Sequence, residues 1–193
     1  MHRLLLLLLL LPLHASAVVG VGLNSDGRPL LTERQVVECP NAAGDGDYLK
    51  SFPDGGKRLK GECRDGIAVG KWKAWHPNGE LMWKGELEAG RFVGVFRSFH
   101  DNGELRAKGQ FAGGLEQGSW WFGHSSGSTA AKGSFEAGKE SGCWRTWYPD
   151  GAKRSRGAYV DGKKVVTWRY WNKQGARSKE KLGGTPSQGR CCW

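Results

Sequence analysis

The chain lacks the signatures of catalytic chemistry. It has no G-x-S-x-G, no H-E-x-x-H, no P-loop and no dinucleotide fingerprint. Acids are scarce, 19 against 29 Lys and Arg, and several stand in turns, as Asp54, Asp150 and Asp161 do. No C-x-x-C pair occurs among the five cysteines, so the commonest zinc arrangement is missing. Past the first residues no segment is apolar enough for a membrane helix. Leu, Ile, Val and Phe are modest outside that start. These absences argue against an enzyme, a metal protein and a membrane helix, and imply no cofactor.

The apolar start has its own pattern. Met1-His2-Arg3 precedes Leu4 to Leu11, then Pro12-Leu13, and the run ends at Ala15-Ser16-Ala17. A basic start, a short apolar stretch and an A-x-A end predict a secretory signal peptide over residues 1–17, cleaved after Ala17. No Cys follows directly, so no lipid anchor is expected. The product would be periplasmic or secreted. Loss of Arg3 takes the formal charge from +10 to +9. Such a surplus favours acidic partners: lipid headgroups, cell-wall polymers, nucleic acid or an acidic protein. Export makes nucleic acid the least expected of these.

What the chain has in abundance is glycine, 31, and tryptophan, 10. Gly70, Gly94, Gly118 and Gly142 lie 24 apart, with Gly46 before them and Val166 after. Three more series keep the same period: Gly55 to Gly175, Gly61 to Gly157 and Gly66 to Gly162. Between them run aromatic columns. Tyr48, Trp72, Phe96, Trp120, Trp144 and Trp168 form the first. Trp75, Phe99, Trp147 and Trp171 form the second, with gaps at Ser51 and Gly123. Cys63, Leu87, Phe111, Phe135 and Tyr159 form the third. Each period reads as a β-hairpin turned by a motif such as His76-Pro77-Asn78-Gly79 or Tyr148-Pro149-Asp150-Gly151. A helix would lose roughly 1 kcal/mol at each interior Gly. The expected fold is all-β: an elongated, single-layer antiparallel β-meander of six tandem hairpins over residues 46–178. The aromatic columns are expected as core ladders along one face, with the Gly61 to Gly157 series letting rings pack over the backbone. Residues 18–45 read as an N-terminal cap, and 179–193 as a flexible, Cys-containing tail.

Gly70-Lys71-Trp72-x-x-Trp75-x-Pro77-Asn78-Gly79 and its copies resemble the variant MORN repeat of bacteria. That repeat also marks proteins labelled YwqK-like antitoxins; here it would be an exported form. The resemblance spans about residues 46–176. It implies an extended antiparallel meander, no catalytic residues, and a protein-binding or scaffold role, with an immunity or antitoxin role as one form of it.

Three sets of residues remain as candidate sites. Export favours disulfides, and Cys39–Cys63 would pin the cap to the first hairpin if the cap folds back irregularly. Cys143 is left to pair with Cys191 or Cys192. His76, His100 and His124 stand 24 apart and form weak candidates for a metal or a pH sensor, in a turn-flanking position held elsewhere by Phe52, Tyr148 and Asn172. Two basic columns stand out: Lys60, Lys84, Lys108, Lys132 and Arg156, and Lys73, Arg97, Arg145 and Arg169, with Trp121 interrupting the second. They could meet an anionic lipid or wall polymer, or they could be a solvated face that discourages aggregation. A protein partner is the leading expectation and the anionic surface the alternative. Oligomeric state is open.

Overall fold

The computed structural model describes residues 38–39 and 44–183. The expected signal peptide, most of the expected cap and the tail cysteines Cys191 and Cys192 lie outside the described residues.

Twelve strands form one antiparallel sheet in strict sequence order. They are β1 (Gly46–Ser51), β2 (Lys57–Arg64), β3 (Ile67–Trp75), β4 (Leu81–Glu88), β5 (Arg91–Phe99), β6 (Leu105–Ala112), β7 (Leu115–Gly123), β8 (Thr129–Glu136), β9 (Lys139–Trp147), β10 (Lys153–Val160), β11 (Lys163–Trp171) and β12 (Arg177–Lys181). The expected six hairpins are therefore present. The last strand runs through Lys181, three residues into the segment read as tail, because it pairs with β11 from Arg177↔Trp171 to Lys181↔Thr167.

Two turn chemistries alternate. At the Pro-Asn-Gly turn, Gly79 N–H donates to His76 O and His76 N–H to Glu80 O. The return turns put two successive residues at positive φ, as at Ala89 (48°) and Gly90 (71°). That is the conformation matching the twist of a tight hairpin. A third device sits inside the odd strands. Gly70, Gly94, Gly118 and Gly142 have φ of 62–68° and bulge out of register. In the last hairpin the same position is Val166, at φ 54°. A β-branched residue is strained there.

One face is the core. Trp72, Trp83, Phe92, Phe96, Leu87 and Cys63 are fully buried. Burying rings of this size contributes about 2–3 kcal/mol apiece. The column glycines make the close approach possible. A Cβ placed on Gly61 would lie 2.0 Å from the Trp72 ring, on Gly109 2.1 Å from Trp120, on Gly133 2.1 Å from Trp144, and on Gly157 2.2 Å from Trp168. Where the ring is the smaller Phe96, over Gly85, the approach relaxes to 3.2 Å. The rings touch from hairpin to hairpin, for example Phe111–Trp120 at 5.3 Å, Phe135–Trp144 at 5.2 Å and Tyr159–Trp168 at 5.0 Å between centroids, all near edge-to-face.

A second core row balances large against small. Trp83 stands between Ala74 and Ser98, and Phe122 between Ala107 and Ala131. Each ring uses volume that its neighbours leave open, so the sheet keeps its packing while the repeats differ.

One expectation needs correcting. The second aromatic column, Trp75, Phe99, Trp147 and Trp171, is not on the core face with the first. The two columns are three residues apart, and an odd step along a strand reverses the side-chain direction. The burial alternation agrees: Trp72 and Ala74 are buried, while Lys73 is exposed and Trp75 half-buried.

The N-terminal end is closed as the fold-back requires. Glu38 bridges to Ile67, Cys39 N–H donates to Gly66 O, and Cys39 is disulfide-bonded to Cys63 with Cα atoms 6.1 Å apart. The chain thus returns across the β2–β3 turn instead of continuing the hairpin repeat. Cys143 is also disulfide-bonded; its expected partners, Cys191 and Cys192, are outside the described residues.

Candidate functional site

The opposite face carries the charge, and the two basic columns occupy it as one line. Lys60 pairs with Lys73, Lys73 with Lys84, Lys84 with Arg97, and Arg97 with Lys108. Lys108 pairs with Trp121, Trp121 with Lys132, Lys132 with Arg145, and Arg145 with Arg156. Arg156 pairs with Arg169 and Arg169 with Lys179. A cation therefore stands on every strand from β2 to β12 except β7. Neighbours are one strand spacing apart, about 4.8 Å. Like charges directly opposite one another destabilise a sheet. Burial and the like charges of Arg169, Arg145 and Arg177 hold the Arg156 guanidinium below its ordinary value.

The row beside this line differs between the two ends. Glu62 and Glu86 lie two residues along their strands from Lys60 and Lys84. In the same position beside Lys108, Lys132 and Arg156 are Gln110, Ser134 and Ala158. Side chains two apart share a face. The row beside the line thus carries no acid from β5 to β11. There an open groove of about 710 Å³ is lined by Val95, Arg97, Lys108, Trp121, Lys132, Arg145 and Trp147, with Ser119, Ser134 and Cys143 at its floor and sides.

Aromatic rings run alongside the cations. Arg156 lies 5.5 Å from the Trp171 ring centroid and Lys108 5.9 Å from that of Trp121. Trp121 also explains two irregularities of the repeat at once. A Cβ on Gly123 would meet the Trp121 ring at 2.4 Å. The ring standing in the cation line leans over the place where the second aromatic column has its gap. Its Nε1 donates to Thr129 Oγ1 across the hairpin at 3.2 Å. The missing cation and the missing aromatic fall in one hairpin, and rings follow the cationic side on alternate strands at Phe99, Trp121 and Trp147, a shelf of which Trp121 and Trp147 line the groove.

The histidines do different work. His76 Nε2 lies 3.1 Å from Phe99 O, His100 Nε2 3.0 Å from Gly123 O, and His124 Nε2 3.0 Å from Trp147 O. A carbonyl only accepts, so each ring donates to the next hairpin. Tyr148 does the same with its hydroxyl, to Trp171 O at 2.9 Å. Asn78 and Asn102 extend the lacing, to Asp101 O and Ser125 O. The column is a stitch between hairpins, and among the described residues no group of three or more His, Cys, Asp or Glu is placed to hold a metal.

Sequence reasoning located every cation of the line except Lys179 but read two columns where there is one. The missing step was the register, since bulges at each strand set which positions meet. Trp83, Phe92 and Phe122 were missed as core because their positions vary between repeats.

These features define a tandem β-hairpin repeat module of binding or scaffold type. Residues 92–112 match the MORN repeat variant; the match runs from the second residue of β5 through its turn to the end of β6. No curated protein matches the chain. Two solved structures are similar at 13% identity. One, titled a crystal structure of a GtfA/B complex bound to UDP and GlcNAc, is aligned over 86% of this chain and 29% of that one, with a TM-score of 0.25. The other, of accessory secretory protein 1, 2 and 3 in Streptococcus pneumoniae, is aligned over 72% of this chain and 22% of that one, with a TM-score of 0.22. This chain spans less than a third of either, and at those scores the likeness carries no argument.

Proposed function

We propose that this is a non-catalytic binding module, exported by its N-terminal segment, whose cationic sheet face engages an extended anionic partner. One observation supports the reading above the rest: the register merges two basic columns into a line of ten cations across eleven strands. A point ligand has no use for such a line; a polymer or a surface does. The reading moves an anionic partner ahead of the protein partner and the immunity or antitoxin role suggested by resemblance, since no row of comparable length favours those.

The test is retention on immobilised dextran sulfate across a salt gradient. Retention that collapses between 50 and 300 mM salt is expected, because surface charges are screened over about 10 Å at 0.1 M. Lys84→Glu, Lys108→Glu and Lys132→Glu together should abolish it. Retention unchanged by salt and by the triple variant would refute the electrostatic reading and return the protein-partner reading to the front.

A further inference from the structure

Resting on that reading, we propose that the groove across β5 to β9 takes a linear acidic polysaccharide, its sugar rings lying on the aromatic shelf and its carboxylates or sulfates on the cation line. Charge complementarity alone would suit any polyanion. The second row narrows the choice. Phe99 and Trp147 are half-buried on the cationic side of the sheet, two residues along their strands from Arg97 and Arg145, whose cross-strand partners are Lys108 and Lys132. They stand on the face opposite the core, where folding places no demand for a large ring. Aromatic faces beside cations suit a ligand that alternates an apolar ring face with a negative group.

The cations recur at one strand spacing, about 4.8 Å, so a linear polyacid laid across the strands meets several of them at once. Ser119, Ser134 and Gln110, in the same groove, supply hydroxyl and amide groups that pair with sugar hydroxyls. A polyphosphate has charge but no ring face, and a lipid surface has no rings at the depth of the shelf.

The experiment measures binding of the full chain to four probes at one salt concentration: alginate oligomers, polyphosphate of matched charge, oligothymidylate, and phosphatidylglycerol vesicles. Alginate is expected to bind about tenfold more tightly than polyphosphate, the scale of one or two ring contacts. Phe99→Ala with Trp147→Ala should remove that preference and leave polyphosphate binding unchanged. Phe99→Leu with Trp147→Leu, which retains apolar volume, gives the same loss of preference if stacking is the cause, and a matching thermal melt excludes misfolding. Equal or tighter binding of polyphosphate or vesicles, or a preference the ring variants do not touch, would overturn the polysaccharide assignment while leaving the polyanion reading intact. Tighter binding of oligothymidylate would replace sugar with nucleobase as the stacked group. Failure of every probe at low salt would overturn both.

Discussion

The two faces of this sheet are made from the same twelve strands and obey opposite rules. On the core face the identity of a residue changes freely while volume is conserved: Trp83 sits between small neighbours, then Phe122 does, and Trp, Phe and Tyr exchange along the main column. On the other face the volume changes freely while charge is conserved, with Lys and Arg exchanging along the line. The core face is explained by burial. The cationic face runs against folding energetics, since its cross-strand neighbours repel. A face that keeps its charge at a cost to the fold is where function is to be sought.

The comparison breaks most visibly at the column glycines. Gly109→Ala would push a methyl into the Trp120 ring, and should destabilise the protein by about 3 kcal/mol. Gly85→Ala, where the Cβ would stand 3.0 Å from the Phe92 ring, should cost clearly less. Thermal melts of the pair check this; equal losses would mean the rings are not what the glycines accommodate.

The Trp121–Gly123 pair tests whether the shelf is a unit. Trp121→Arg leaves the slot empty, and Gly123→Trp alone collides with the ring and with Leu105 O. The double variant should be less destabilised than the sum of the singles by about 1 kcal/mol or more. Strict additivity in urea titrations would show the two irregularities to be unrelated.

Val166→Gly sharpens the view that the bulge belongs to the backbone and not to either face. Relief of a β-branched residue at φ 54° should outweigh the added freedom of the unfolded chain and stabilise by about 1 kcal/mol. A higher urea midpoint with an unchanged slope is the expected sign, and a lower midpoint would mean the valine side chain packs better than its strain costs.

Much of this was legible in the sequence because a rigid 24-residue period states the fold many times over. The turn motif and the column glycines beneath the rings followed from spacing and elementary chemistry; the Cys39–Cys63 closure followed from the expected export and the core position of Cys63, against the regular spacing, because the cap folds back. The single cationic line did not. Columns in a sequence give positions along a strand, but the strand opposite is fixed by bulges at Gly70, Gly94 and their equivalents, and those depend on backbone conformation. The same bulges and an odd step placed Trp75 and Trp147 on the cationic side, where periodicity alone had put them in the core. The function of the histidines was hidden for a related reason: a donor to the next hairpin's carbonyl can be His or Tyr, so the column looks like chance in the sequence and like a stitch in the sheet.

The central claim is that the cationic line serves binding at the expense of stability. Its most direct test changes Arg97, Lys108, Lys132 and Arg145 to Gln together and measures both quantities on one protein. Removal of opposed like charges should leave stability equal or raise it by a few tenths of a kcal/mol, while polyanion retention is lost at 50 mM salt. A variant that is destabilised, or one that still binds as the parent does, would contradict the account.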